Sequence, residues 1–284
     1  MRDQQREKVI QSVTWGLGGI FVLLGFGLMA MVLVGAWPTL AEPHALARLL
    51  SPTWDPMRDQ WGLLPFLLGT AVVTCLALAI VVPLALATGI SISRMLPWSL
   101  RPQAVRLLAA LTAIPSVVFG WWGLETVVPA VRILGGQAGF SLLAAAIVLA
   151  LMLWPTLGFL FAEALMKVPR SYVEASAALG ASDDQTLVRI LIPSAWPQLM
   201  NAFLVAVARG LGETVAVQMV IGGQVAMPAG LLSPGATLTT QLLTDATLFP
   251  PGTRGHAALD AMALALLAAM GLLVRLSARW QGQP

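Results

Sequence analysis

Six stretches of this sequence stay apolar for long enough to cross roughly 30 Å of hydrocarbon as a helix. They lie near residues 13–36, 64–91, 104–128, 141–163, 197–221 and 257–278. Backbone in lipid finds no water to bond, so each crossing must satisfy its own amides, and a helix does so within one segment. The expected fold class is therefore an all-α integral membrane protein, with residues 1–284 forming a single transmembrane domain. Composition agrees: 58% of residues are hydrophobic and 10% charged, where soluble chains carry about 25% charged residues. The first run follows Arg2, Arg6 and Lys8, and Thr39-Leu40-Ala41 could mimic a signal cleavage site. Val13 to Ala36 is longer than the roughly 7–15 residues of a signal core, so it reads as a retained span. Pro83, Pro115 and Pro155 fall inside spans and predict kinked helices in a packed bundle.

An even number of spans puts both termini on one side. Eleven Lys/Arg lie at the N-terminus, the second and fourth connections and the tail, against Arg48, Arg58, Arg132 and Arg254 on the alternate side. The bias of basic residues toward the cytoplasm makes both termini cytoplasmic. The small net charge of +3 is spread over the chain; no Lys/Arg cluster of nucleic-acid-binding density appears, and the partner it implies is membrane lipid. Cys75 is the single cysteine, and His44 and His256 are far apart. Neither a metal site nor a cofactor is expected.

The outer connection 37–63 carries Trp37, Trp54 and Trp61, read as interfacial anchors. In 222–256, Ser233 to Thr237 followed by Leu238 to Thr247 can start a short outer helix. Glu125 and Glu163 lie near span ends, where snorkelling explains them, and Asp260 reads as a helix-start charge.

Between the fourth and fifth spans the pattern changes. Ser171 with Glu174, and Ser182 with Gln185, each fit a capping box, with Asp183 and Asp184 favourable in the second first turn. Gly180 stands where the chain must turn left-handed, and Pro193 is expected to end the second helix. Glu174-Ala175, then Gly180, then Ile190, Ile192 and Pro193 resemble the EAA loop of ABC importer permeases, with Ser176 in place of the second alanine and Ile192 in place of leucine. The resemblance implies a type I importer permease fold whose cytoplasmic coupling helix, within the loop 169–193, docks into an ATPase subunit. Glu174, Ala175, Gly180, Ile190 and Pro193 would then carry the coupling. The chain has no Gly-rich phosphate loop and only Lys8 and Lys167 as lysines, so it is not itself an enzyme, and ATP must be hydrolysed by a partner.

Further segments narrow the family. Trp54-Asp55-Pro56, Trp61 to Pro65, Gly69-Thr70, Ile114 to Gly120, Arg209 to Val217 and Ser233-Pro234-Gly235 resemble the permease subunits of phosphate importers, the PstC family. Ser91-Ile92-Ser93-Arg94 departs from it, since an acidic residue commonly follows the second span there. That likeness implies inorganic phosphate as substrate, with three partners. These are a PstA-like second permease subunit, a PstB-like ATPase, and a PstS-like phosphate-binding protein outside the bacterial inner membrane.

Arg209, Glu213 and Thr214 form the expected substrate path. Counting from Pro197 at 1.5 Å per residue puts Arg209 about 18 Å up a helix, near mid-bilayer. Spacing i and i+4 would put Arg209 and Glu213 on one helix face as a pair, with Gly210 and Gly212 leaving room for an anion. A buried ion pair that merely pins the helix is the alternative. A permease for molybdate, tungstate or a phosphonate is the nearest competing function; a secondary transporter or channel would show an inverted repeat, and none is evident.

Overall fold

Residues 2–135 and 138–281 are described by the computed structural model. In chain order its helices are α1 (Arg2–Leu40), α2 (Ala45–Leu49), α3 (Leu64–Ile90), α4 (Arg101–Leu111), α5 (Ser116–Ile133), α6 (Leu142–Met166), α7 (Arg170–Ala178), α8 (Asp183–Thr186), α9 (Ile192–Gly212), α10 (Val215–Ile221), α11 (Leu238–Asp245) and α12 (Arg254–Gln281). Between α2 and α3 a short antiparallel hairpin pairs β1 (Trp54–Asp55) with β2 (Gln60–Trp61). Among the described residues five helical stretches are long and apolar enough to span a membrane, and six if α4 and α5 count as one broken span.

α6 is the centre. It packs against α3, α4, α5, α9 and α10, and Ala144, Ala145, Ala146, Ala150, Ala162 and Ala164 keep its surface low so that neighbouring backbones approach closely. A Cβ on Gly123 of α5 would lie 2.3 Å from Val148 Cγ2 on α6, so that contact tolerates only glycine. A second core seals the far end of the bundle. There Trp54 meets Trp61 and Phe66 edge-on at 5.2 and 5.3 Å, and Trp61 meets Phe249 at 5.4 Å. The hairpin is thus a packed cap built on Trp54 and Trp61, whereas Trp37, the third tryptophan expected as an anchor, stays exposed on α1.

Two expected spans are not single helices. The third breaks between Leu111 and Ser116, with α4 and α5 inclined at 82°. Pro115 causes this: it lacks an amide and drives Ile114 out of helical geometry, while its own ψ of 140° starts α5 afresh. The fifth span begins earlier than expected, because α8, a π-helical turn (Leu187–Leu191) and α9 run on as one helical stretch from Asp183 to Gly212. Pro193 therefore does not end a helix. It lies inside that stretch, just past the π-helical turn in which the Ile192 amide bonds back to the Leu187 carbonyl, and the shifted register accommodates its missing amide. The same span then breaks at Glu213, whose ψ is 129°.

Asp260 is not a helix-start charge either. α12 begins at Arg254, and Asp260 lies in the seam with α1, where a Cβ on Gly35 would fall 2.0 Å from its Oδ2. Glu163 pairs with Lys167 at 3.7 Å, and Glu125 is exposed on α5.

Candidate functional site

Two partly buried charged side chains flank the break in the fifth span. Arg209 stands in the last turn of α9 and its Nη1 donates to the Thr156 hydroxyl of α6 at 3.1 Å. Glu213 stands just past the end, and its Oε1 accepts the Ala216 amide at 3.2 Å. No salt bridge joins the two among the described residues, which corrects the i, i+4 expectation: that spacing places side chains on one face only while the helix continues. Each charge instead occupies a position favoured by a helix dipole, Arg209 in the last turn of α9 and Glu213 with its carboxylate on an amide of the first turn of α10.

The chain around the break is braced from α11. Thr239 Oγ1 donates to the Glu213 carbonyl at 2.8 Å, Thr214 Oγ1 donates to the Gly212 carbonyl at 3.3 Å, and Gln218 Nε2 donates to the Thr244 hydroxyl at 3.4 Å. α11 is itself anchored, since the Leu238 amide donates to Thr70 Oγ1 of α3 at 2.9 Å. Gly212 is exposed, but Gly210 is buried, and a Cβ there would touch Thr74 and Leu153 at 3.4 and 3.5 Å. Gly210 serves helix packing, and does not clear space for an anion as its sequence position suggested. Thr156, Thr239 and Gln218 were not singled out from sequence, because their part in the site depends on contacts between distant segments.

At the opposite end from the hairpin, α7 and α8 project from the bundle. α7 closes with a Schellman turn: Gly180 has φ of +78°, its amide donates to the Ala177 carbonyl, and the Ala181 amide donates to the Ser176 carbonyl. The Ser182–Gln185 capping box is formed. The Ser171–Glu174 box is not, because Pro169 takes the cap position and α7 starts at Arg170. Ser176, the departure from alanine, is buried and its hydroxyl meets Thr186 Oγ1 at 2.9 Å, tying the two limbs together. Glu174, Ala175, Leu179 and Gly180 remain exposed, Ile190 is partly buried in the π turn and Pro193 is exposed. The loop is a ledge whose exposed face sets Tyr172, Glu174 and Leu179 among small residues.

Comparison with known proteins bears on this arrangement. The model of the family described as "Binding-protein-dependent transport system inner membrane component" matches residues 79–283. The chain is 36% identical over 231 residues to the probable ABC transporter permease protein YqgH of Bacillus subtilis, covering 80% of this chain and 75% of that one. It is 27% identical over 261 residues to the phosphate transport system permease protein PstC of Haemophilus influenzae, covering 83% and 82%. To PstC 1 of Mycobacterium tuberculosis it is 31% identical over 253 residues, covering 78% and 75%. Among solved structures, an inward-facing MetNI methionine ABC transporter matches with TM-score 0.56 at 21% identity, over 80% of this chain and 97% of that one. The last likeness is one of fold, that of a type I importer permease.

Proposed function

We propose that this chain, which belongs to the binding-protein-dependent transport system inner membrane component family, is the subunit through which an ATP-driven importer passes inorganic phosphate. The family makes it an integral inner-membrane permease, not itself an enzyme, that works with an ATPase and a substrate-binding protein. The finer assignments are ours: phosphate as cargo, a PstA-like second permease subunit, a PstB-like ATPase on the α7–α8 ledge, and a PstS-like protein at the hairpin end. Both termini are cytoplasmic in this reading, on the strength of the basic-residue asymmetry. A cytoplasm-only reporter fused after Gln283 would then be active, and activity from a periplasm-only reporter at that point would overturn the topology.

The observation that supports an oxyanion cargo is Arg209. Its guanidinium sits in a helix that spans the bilayer, makes one hydrogen bond to a neutral hydroxyl, and has no carboxylate partner among the described residues. Guanidinium offers five donors in a planar fork, so most of them remain for a tetrahedral anion. Phosphate near neutrality also keeps a proton, which the Glu213 carboxylate can accept in a hydrogen bond while its other oxygen caps α10. Thr214 places a hydroxyl in the same break.

The test is phosphate uptake by the assembled importer carrying Arg209→Gln, Glu213→Gln or the charge-swapped double variant, at matched membrane abundance. Losing charge-assisted bonds to the anion should lower uptake by Arg209→Gln about tenfold to a hundredfold, with assembly intact. The swap should fail as well, because it sets each charge against a helix end of its own sign. Full uptake by the swap would make the pair structural and overturn the reading.

A further inference from the structure

Beside the ledge, basic residues converge on one aromatic ring. The guanidinium carbon of Arg170, first residue of α7, lies 4.1 Å from the Trp98 ring centroid, and that of Arg101, first residue of α4, lies 5.5 Å from the same centroid. Both line a cavity of about 420 Å³ together with Arg94, Ser93 and Glu174. The cavity opens between the end of the second span, the start of α4 and the root of α7.

The charges there are not balanced. Arg94 reaches Asp183 at 3.6 Å, and Arg101 Nε donates to the Leu96 carbonyl at 3.0 Å. Glu174 is the one acid among the lining residues, against three guanidiniums. Stacking two cations on one ring offsets part of their mutual repulsion, but the lining still holds an excess of positive charge. Trp98 remains 67% exposed, as a tryptophan at a membrane surface would be. A basic pocket between helices at the membrane boundary, edged by an amphipathic ring, has the chemistry to take an acidic headgroup.

We propose that this cavity is a second anion site, separate from Arg209. It takes a phosphate group, supplied by an anionic phospholipid headgroup or by free inorganic phosphate. Bound there, the anion bridges Arg94, Arg101 and Arg170, and so clamps α7 to the segment 91–101. Glu174, exposed on α7 and in the same lining, makes the site sensitive to the placement of the ledge that faces the ATPase in the reading above. The single charge of a phosphodiester suits the lining, since it approaches neutrality without overturning the excess.

The experiment uses the assembled importer and reads binding, not uptake, so its outcome is independent of what the importer carries. Retention of phosphatidylglycerol is measured by native mass spectrometry after reconstitution in equal parts phosphatidylglycerol and phosphatidylcholine. Equilibrium binding of radiolabelled inorganic phosphate is measured in phosphatidylcholine alone, on an Arg209→Gln background without the binding protein. Adding Arg101→Gln with Arg170→Gln should weaken one of these ligands at least about tenfold, and which ligand is lost identifies the source. If both are retained unchanged, the site does not exist. Should that variant fail to assemble, Trp98→Leu keeps every charge and removes the stacking platform, and retention that stays at the unsubstituted level overturns the proposal.

Discussion

The Thr239 hydroxyl donates to the backbone carbonyl of Glu213 at 2.8 Å, and this bond holds open the break between α9 and α10. A helix end leaves carbonyls without partners, and here a threonine from α11 supplies one of the missing donors. Since the Leu238 amide of α11 is fixed by Thr70 of α3, the break is braced against the far side of the bundle. Thr239→Val keeps the shape of the side chain and removes the donor. The orphaned carbonyl should cost roughly 1–3 kcal/mol, read as a lower midpoint of thermal unfolding, with uptake falling alongside it. Thr239→Ser should recover most of both.

Thr156 is the hydroxyl that orients Arg209. Thr156→Val removes a hydrogen bond to a charged group without touching the charge, so phosphate uptake should fall by less than in Arg209→Gln, about fivefold to tenfold. Uptake in proteoliposomes at saturating binding protein reads this directly. A loss as deep as that of Arg209→Gln would mean that Thr156 meets the cargo itself.

Gly180 turns the chain at φ +78°, and nothing lies within 4 Å of the position a Cβ would occupy. Space is therefore not the constraint; backbone strain is. A β-branched residue there costs roughly 1–2 kcal/mol, which the chain can relieve by unwinding the Schellman turn and tilting α8. Gly180→Val should insert and assemble its spans normally, yet fail to stimulate the ATPase in the reconstituted complex. Gly180→Asn, whose side chain tolerates the left-handed region, should retain most of the stimulation.

What could be read from the sequence follows the range of each interaction. The spans were legible because lipid demands long apolar runs whatever the tertiary contacts, and Gly180 and Ser182 because turns and caps are decided within a few residues. Breaks were not. Pro83, Pro115 and Pro155 look alike as letters, but α3 and α6 continue through Pro83 and Pro155, whereas the chain turns by 82° around Pro115. Where a proline bends a membrane helix depends on how neighbouring segments satisfy the freed carbonyls. The pairing of Arg209 with Glu213 failed for the same reason, as did Asp260, whose surroundings are set by Gly35 more than two hundred residues away. The Gly180 turn and the Ser182 cap of the ledge formed as the local pattern indicates, yet the purpose of Ser176 appeared only when Thr186 was found against it.

The hairpin cap carries a pH dependence whose sign can be worked out. Asp59, in the left-handed region at φ 56°, accepts from the Trp61 indole at 2.9 Å and from the Arg254 guanidinium at the start of α12. The indole hydrogen bond chiefly holds the Asp59 carboxyl below its ordinary range; burial opposes it, and the Arg254 hydrogen bond and then the Arg254 charge add to the lowering. A carboxyl depressed in the folded state favours folding above its unfolded value, and that contribution disappears as pH falls through the folded value. The tie between hairpin and α12 is therefore complete at neutral pH, begins to weaken in the ordinary carboxylate range and is gone below it. Because Asp59 is half exposed, the effect is local and should leave the spans intact. It is checked by the exchange rate of the Trp61 indole proton, assigned with Trp61→Phe. Exchange should speed up relative to a buried backbone amide of α6 as the solution is acidified. Asp59→Asn should show the faster exchange at every pH, with no acid transition. A transition that survives in Asp59→Asn would mean that Asp59 does not carry it.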